Sequence, residues 1–196
     1  MEETKGKKKE LERIAWNKYD DAKMEEVMCY NEGYKAYIST CKTERECVKE
    51  AIRLAEEKGY RDLKKLIADG ETAKAGDKLY YNNMDKALVL YLVGEEPLEK
   101  GMKILGAHID SPRLDIKQNP LYEDTGMAML DTHYYGGIKK YQWVTLPLAL
   151  HGVVVKKDGT KIEVNIGDHS GDPVVGISDL LIHLSASQMD KKASKV

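Results

Sequence analysis

A histidine and an aspartate separated by one residue form the pattern in this sequence that could bind a metal ion. His108 and Asp110 come directly after Met102–Ala107, an apolar run that predicts a short buried strand. The end of such a strand holds a ligand rigidly, and a carboxylate that accepts the second ring N–H of a metal-bound histidine fixes its tautomer and raises its basicity. Patterns of three residues also arise by chance, so an ordinary strand-end histidine beside a turn is the alternative interpretation.

The other histidines have less informative surroundings. His183 lies in an apolar stretch and would, by itself, be interpreted as a solvent-exposed residue of a helix. His133, His151 and His169 are scattered among predicted strands without the spacing of metal ligands. We interpret these three as structural or surface residues.

The composition is that of a soluble globular protein. The 196 residues are 42% hydrophobic and 33% charged, and the formal net charge is -2. A nearly neutral chain does not attract polyanions over long range, so we expect no nucleic-acid partner. No stretch approaches the roughly 20 apolar residues of a membrane-spanning helix, and the charged start lacks the apolar segment of a secretory signal.

The three cysteines, Cys29, Cys41 and Cys47, indicate a reducing compartment. Their odd number and irregular spacing argue against a disulfide framework, and no pair has the CxxC spacing of a structural zinc site. We interpret them as small apolar residues, and we expect a cytoplasmic protein.

The first part of the chain is predicted to be helical and the rest mainly β. Apolar spacing predicts helices over residues 7–19, 21–38, 44–58 and 61–68. Thr43 and Glu46 form a capping box at the start of the third helix. Strands are predicted over residues 78–82, 86–93, 102–107, 143–155 and 161–166. Asp158-Gly159 favours a type I′ hairpin between the last two, and a helix is expected from Ser178.

Three motifs resemble those of a known enzyme family, in the same order. GAHIDSPRLDIK resembles a His-x-Asp-Ser-Pro metal motif, and THYYGGIKKYQWVTLPLALHGVVVKKDG resembles a Tyr-Gly-Gly segment that leads into strands and a hairpin. IGDHSGDP followed by DLLIHL resembles a segment that ends in a His-Leu helix start. The family is the M18 metallo-aminopeptidases (aspartyl aminopeptidase-like), and the similarity to its bacterial branch covers residues 77–190. The chain therefore resembles the N-terminal portion of such an enzyme.

The resemblance implies an α/β fold in two parts. Residues 1–130 would form the N-terminal part of the metallopeptidase catalytic domain, with a mixed sheet flanked by helices. Residues 131–196 would begin a β-rich dimerisation domain, through which members of the family self-associate into dodecamers.

The resemblance also implies roles for three side chains in two-metal hydrolysis of N-terminal residues from peptide substrates. The cofactors would be two divalent metal ions, zinc or alternatively cobalt or manganese. His108 would be a ligand of one ion, and Asp110 would serve catalysis as the carboxylate that orients it. His183 would enter the active site of a neighbouring subunit, where it would bind substrate and stabilise the developing oxyanion.

The resemblance places the other metal ligands and the general base of the family after residue 196. We therefore expect the 196-residue chain alone to be inactive, because a catalytic zinc ion usually has three protein ligands. Two interpretations remain at this point. The chain is either part of a metallo-aminopeptidase or a truncated, catalytically inactive relative that serves as an assembly or interaction subunit.

Overall fold

The computed structural model describes residues 14–195. These residues form two compact units, one that ends at Gly101 and one that begins at Met102. Both contain helices and strands, so the predicted α/β class is confirmed. The helix predicted over residues 7–19 lies mostly outside the described residues, and within them Ala15–Lys18 form a short 3-10 helix. No helix of the described chain is long and apolar enough to cross a membrane.

Three helices of the first unit follow their sequence signals. α1 spans Asp21–Thr40, α2 spans Glu44–Glu57 and α3 spans Leu63–Ala68. The predicted capping box is present at the start of α2, where the Thr43 hydroxyl accepts from the Glu46 N–H. In return, the Glu46 carboxylate accepts from the Thr43 N–H at 2.8 Å. This exchange satisfies two N–H groups that the helix itself leaves without a partner.

The first unit contains a three-stranded mixed sheet in the order β1, β2, β3. β1 (Arg61–Asp62) runs parallel to β2 (Lys78–Asn83), which pairs antiparallel with β3 (Ala87–Leu92). The two strands predicted around residue 84 are therefore confirmed as a hairpin.

Side chains hold the turn between β2 and β3. Met84 and Asp85 have left-handed φ angles of 58° and 59°, as in a type I′ turn. The Asn82 amide donates to the Asp85 carboxylate at 2.8 Å, and the Asn82 side-chain oxygen accepts from the Asp85 N–H at 2.9 Å. These two bonds offset the strain of non-glycine residues in the left-handed region.

The core of the first unit lies between α2, α3 and β2. Its buried side chains are those of Cys41, Cys47, Val48, Ala55, Leu66, Leu79 and Tyr80. The Tyr80 hydroxyl reaches α2 and donates to the Glu56 carboxylate at 2.8 Å. Burial, helped by this hydrogen bond, raises the pKa of Tyr80 to about 12. The phenol therefore stays neutral throughout the physiological pH range.

The prediction that the cysteines are buried or half-buried apolar residues is confirmed for two of the three and wrong for Cys29. Cys41 and Cys47 are buried free thiols, and Cys29 is an exposed free thiol. Burial raises the pKa of the Cys41 thiol to about 12, so very little reactive thiolate forms at neutral pH.

The second unit is built on two β-hairpins. β4 (Arg113–Asp124) pairs antiparallel with β5 (Met127–Tyr135), and β6 (Leu150–Val155) pairs antiparallel with β7 (Lys161–Ile166). The sequence analysis predicts the second hairpin but not the first. The β4–β5 hairpin is nevertheless the larger one, and its ends lie beside the candidate site described below.

The turn of the β6–β7 hairpin differs from the predicted type I′ turn. Only Gly159 has a positive φ, of 85°, whereas a type I′ turn requires two such residues. The Lys156 N–H donates to the Thr160 carbonyl at 2.9 Å. The Asp158 carboxylate accepts from the Thr160 N–H at 2.9 Å, the side-chain-to-backbone bond of an Asx turn.

The prediction of a strand over Met102–Ala107 is wrong for the described chain. A strand requires a hydrogen-bonded neighbour, and none of residues 14–195 forms a β ladder with this run. Its large side chains are exposed, and the Leu105 side chain is 101% exposed.

Two other predicted elements are shorter than expected. The strand predicted over residues 143–155 is reduced to β6 and to isolated β-bridges at Val144 and Leu148. Thr145, between the two bridges, has a left-handed φ of 62° that breaks the extended backbone. The helix predicted from Ser178 is replaced by a 3-10 helix, Ile182–Leu184, and the short α4, Ala186–Met189. The backbone directly before the 3-10 helix is extended (φ -62°, ψ 148°), which prevents an earlier start.

We expect Leu79→Ala to destabilise the first unit by about 2–5 kcal/mol, because Leu79 is 2% exposed and its truncation leaves a cavity. The control Leu92→Ala, in the neighbouring strand β3, should change the free energy of unfolding by less than about 0.5 kcal/mol, since that side chain is 68% exposed. Urea unfolding followed by circular dichroism measures both changes. Equal effects of the two substitutions would contradict this location of the core.

Candidate metal site

His108 and Asp110 lie in the loop before β4, and their side chains are in hydrogen-bond contact. The Nδ1 atom of His108 is 3.1 Å from Oδ1 of Asp110 and 3.0 Å from the Asp110 carbonyl oxygen. Both oxygens can only accept, so Nδ1 carries a proton and donates. In the neutral ring Nε2 then keeps its lone pair. The imidazole is 84% exposed, and a metal ion can approach it from solvent.

Tyr135 binds the second oxygen of the Asp110 carboxylate. Its hydroxyl donates to Oδ2 at 2.9 Å, so each carboxylate oxygen has its own donor. This hydrogen bond is the largest cause that lowers the pKa of Asp110, and the residue's own backbone N–H and His108 act in the same direction. Asp110 is therefore ionised at neutral pH, and its acceptor character is lost only as the pH falls through the lowered pKa.

The β4–β5 hairpin brings Tyr135 to this position. Arg113, the first residue of β4, is the antiparallel partner of Tyr135, the last residue of β5. The Arg113 guanidinium carbon lies 4.2 Å from the centre of the Tyr135 ring, a cation–π distance. Its Nε also donates to the Asp115 carboxylate at 2.7 Å. We call the side chains of His108, Asp110, Arg113 and Tyr135 the His108 cluster.

His183 lies apart from these contacts. It belongs to the 3-10 helix Ile182–Leu184 and is exposed. Within the described part of the chain, no hydrogen bond or ion pair links it to His108 or Asp110. Its predicted role in a neighbouring subunit stays a prediction.

The other three histidines lie in the β-rich second unit. The His133 ring stacks on the ring of Tyr134, with their centres 5.5 Å apart. The His151 side chain is 7% exposed, and its Nε2 lies 3.3 Å from the Asp168 carboxylate. His169 is exposed, and its backbone N–H donates to Asp172. These contacts agree with a structural or surface role.

The donor atoms of the His108 cluster fit one ligand of a zinc site. Neutral imidazole nitrogen is a common zinc ligand, and a carboxylate that accepts the other ring N–H usually accompanies it. Among residues 14–195, no group of three or more His, Cys, Asp or Glu side chains could hold a metal ion. The described residues therefore supply one candidate ligand and its orienting carboxylate rather than a complete site.

Sequence reasoning missed Tyr135 and Arg113 as members of the cluster. The available signal was Thr125-Gly126, a turn dipeptide that precedes the alternating run MAMLDTHYY. Thr125 and Gly126 do form the turn, with φ of 51° and 77°. A predicted hairpin here would have placed the two cluster residues near each other.

Comparison with known proteins gives the family that the motifs indicate. The family model described as Aminopeptidase I zinc metalloprotease (M18) matches residues 37–195. The relative "Probable M18 family aminopeptidase 1" of Clostridium acetobutylicum is 63% identical over 182 residues, which are 93% of this chain and 39% of the relative. The crystal structure of aminopeptidase I from that organism matches with a TM-score of 0.79 and 62% identity, covering 94% of this chain and 40% of that chain.

A more distant likeness is to the yeast mApe1 dodecamer, with a TM-score of 0.62 and 22% identity over 76% of this chain and 35% of that chain. This likeness supports the fold alone.

Taken together, the matches define the class as the zinc metallopeptidases. The chain belongs to the M18 family of aminopeptidases. It spans about 39% of the length of these curated relatives, and the resemblance predicted from the motifs is confirmed.

Proposed function

We propose that this chain is the N-terminal part of a metal-dependent aminopeptidase that removes N-terminal amino acids from peptides by two-metal hydrolysis. The observation that carries the proposal is the hydrogen bond between His108 Nδ1 and the Asp110 carboxylate, in a chain of the M18 family. In this proposal Nε2 of His108 binds one ion, and Asp110 holds the ring in that orientation. Zinc is the proposed metal, with cobalt or manganese as alternatives.

The two residues have separate tasks in this proposal. Bound divalent ions polarise a peptide carbonyl and lower the pKa of bound water. His108 supplies one neutral ligand, whose basicity Asp110 raises by accepting the Nδ1 proton. Asp110 is ionised at neutral pH, and the hydrogen bond from Tyr135, which lowers the pKa of Asp110, extends the ionised range to lower pH.

The proposed domain division, into a catalytic part of residues 1–130 and a dimerisation part of residues 131–196, rests on the resemblance of the motifs. The M18 model matches residues 37–195, so residues of both parts belong to the family match. A cytoplasmic location remains part of the proposal and rests on the three free thiols.

Apolar residues around His183 support self-association through residues 131–196. Leu181, Ile182 and Leu184 are 70%, 63% and 69% exposed, and adjacent exposed apolar side chains indicate a contact surface. The proposed occupant is a second copy of the same protein, because the resemblance to the M18 family implies self-association through this segment. His183 would then enter the neighbouring active site, bind the peptide substrate and stabilise the oxyanion.

The 196-residue chain alone should release no amino acid from peptides in the presence of zinc, cobalt or manganese. One imidazole ligand does not make a catalytic site, which usually has three protein ligands. Amino-acid release from a dipeptide mixture, followed by mass spectrometry, measures this. Sustained turnover would show that the chain carries ligands that its structure does not bring together.

A chimera that joins residues 1–196 to the C-terminal remainder of the Clostridium acetobutylicum relative should be active, because 63% identity preserves most contacts. In this chimera Asp110→Ala should lower kcat/KM by about 10–100-fold. His108→Ala should lower it further, since it removes the ligand itself. His169→Ala, an exposed histidine outside the His108 cluster, is the matched control. Equal kcat/KM for His108→Ala and His169→Ala would refute the ligand assignment, and an inactive chimera would favour the alternative of an assembly subunit.

The role of His183 in a neighbouring subunit predicts complementation between two inactive variants. The His108→Ala and His183→Ala chimeras should each have low activity, and mixing them after subunit dissociation should restore about a quarter of the original activity. Random association of the two variants makes half of the dimers mixed. Each mixed dimer has one active site that contains both His108 and His183 and one site that contains neither. Activity of the mixture equal to the average of the two variants would contradict the role in trans.

A further inference from the structure

We propose that Tyr135 is a positioning residue of the metal site, because its hydroxyl holds Asp110 in the orientation in which Asp110 leaves Nε2 of His108 open to a metal ion. This inference rests on the proposed function and deepens it. It assigns a purpose to the Tyr-Gly-Gly segment, which the motif analysis treats only as a mark of the family.

The Asp110 carboxylate can rotate unless both of its oxygens are bound. The side chain is 38% exposed, so packing alone does not fix its rotation. His108 binds Oδ1 and Tyr135 binds Oδ2, at 3.1 Å and 2.9 Å. Donors on both oxygens define the plane of the carboxylate, whereas the bond to His108 alone leaves that plane free to turn.

The β4–β5 hairpin and Arg113 hold Tyr135 in place. Its backbone is the antiparallel partner of Arg113, and the Arg113 guanidinium lies over its ring. Arg113 in turn is bound to Asp115 at 2.7 Å. The hairpin therefore holds the Tyr135 backbone, and the Arg113 guanidinium contacts the face of the Tyr135 ring. The hydroxyl of this ring donates to Asp110.

The Tyr-Gly-Gly segment lies beside the Asp-Ser-Pro loop. The Tyr135 hydroxyl contacts this loop through Asp110. Gly136, directly after Tyr135, has a left-handed φ of 73°, and a Cβ at this residue would lie 3.6 Å from Pro112. Because glycine adopts this φ without strain, the chain can turn away immediately after the tyrosine that holds Asp110.

The energetic worth of this hydrogen bond is expected to be small, because both partners are exposed to water. Its effect should therefore appear in the orientation of His108 rather than in stability. The tautomer of the metal-free imidazole reports that orientation, and it can be measured without metal and without catalysis.

Nitrogen NMR of the ¹⁵N-labelled, metal-free 196-residue chain at a pH about two units above the ordinary histidine pKa measures the tautomer of His108. In the unaltered chain we expect mainly the Nδ1–H form. Asp110→Ala removes the carboxylate acceptor but keeps the residue-110 carbonyl oxygen, which lies 3.0 Å from Nδ1, so this variant defines the tautomer mixture of a ring without the carboxylate. Tyr135→Phe removes only the hydroxyl and should shift His108 most of the way to that mixture. Tyr134→Phe, the matched control on the neighbouring tyrosine, should leave the tautomer unchanged.

A rescue variant separates the hydroxyl from the general effect of a substitution. Tyr135→4-aminophenylalanine keeps the ring and restores an N–H donor, so it should return His108 to the Nδ1–H form. Amide signals of residues 127–135 report whether β5 is intact in each variant. If Tyr135→Phe loses the hairpin, Tyr135→4-aminophenylalanine becomes the deciding variant. A tautomer mixture in that variant like the mixture in Asp110→Ala would then overturn the proposal.

The outcomes distinguish this inference from the proposed function. An unchanged tautomer in Tyr135→Phe overturns the role of Tyr135, while loss of chimera activity in His108→Ala would still support the peptidase. Conversely, a shifted tautomer in Tyr135→Phe together with full chimera activity in His108→Ala would refute the peptidase site and leave the positioning contact established.

Discussion

The hydrogen bond between the His108 imidazole and the Asp110 carboxylate is the contact on which the functional interpretation depends. It assigns the proton to Nδ1 and leaves Nε2 as the atom that can bind. Neither residue lies in a helix or strand, so regular backbone hydrogen bonds do not hold this pair. Tyr135, which is 25 positions further along the chain, holds the second carboxylate oxygen. A contact between near neighbours in sequence is thus maintained by a distant strand.

The second constraint is the apolar surface directly before the site. Met102, Ile104 and Leu105 are 65%, 80% and 101% exposed. Single exposed apolar residues are common on protein surfaces, but several exposed apolar residues close together are not. The relatives are more than twice as long as this chain, which spans 39% of them. Within residues 14–195 no strand pairs with Met102–Ala107, so this apolar surface is exposed directly before the His108 cluster.

Structural features that depend on residues close together in sequence could be predicted from the sequence. The Thr43–Glu46 capping box could be read from two residues because both of its hydrogen bonds lie within one turn of helix. The strand over Met102–Ala107 could not be verified in this way, since a strand exists only with a partner. His108 and Asp110 were found because their spacing is short. Tyr135 was missed because its contact depends on the register of a hairpin, which no single segment of the sequence specifies.

That register is the link between the hairpin and the site. Side chains alternate along a strand, so a slip of one residue in β5 would direct Tyr134 toward Asp110 in place of Tyr135. Tyr134 has different surroundings, with its ring stacked on His133 and 5.3 Å from the Lys140 ammonium. The pairing of Arg113 with Tyr135 and the left-handed turn at Gly136 both favour one register. The β4–β5 hairpin therefore selects which tyrosine binds Asp110, and through Asp110 it selects which nitrogen of His108 is available to a metal ion.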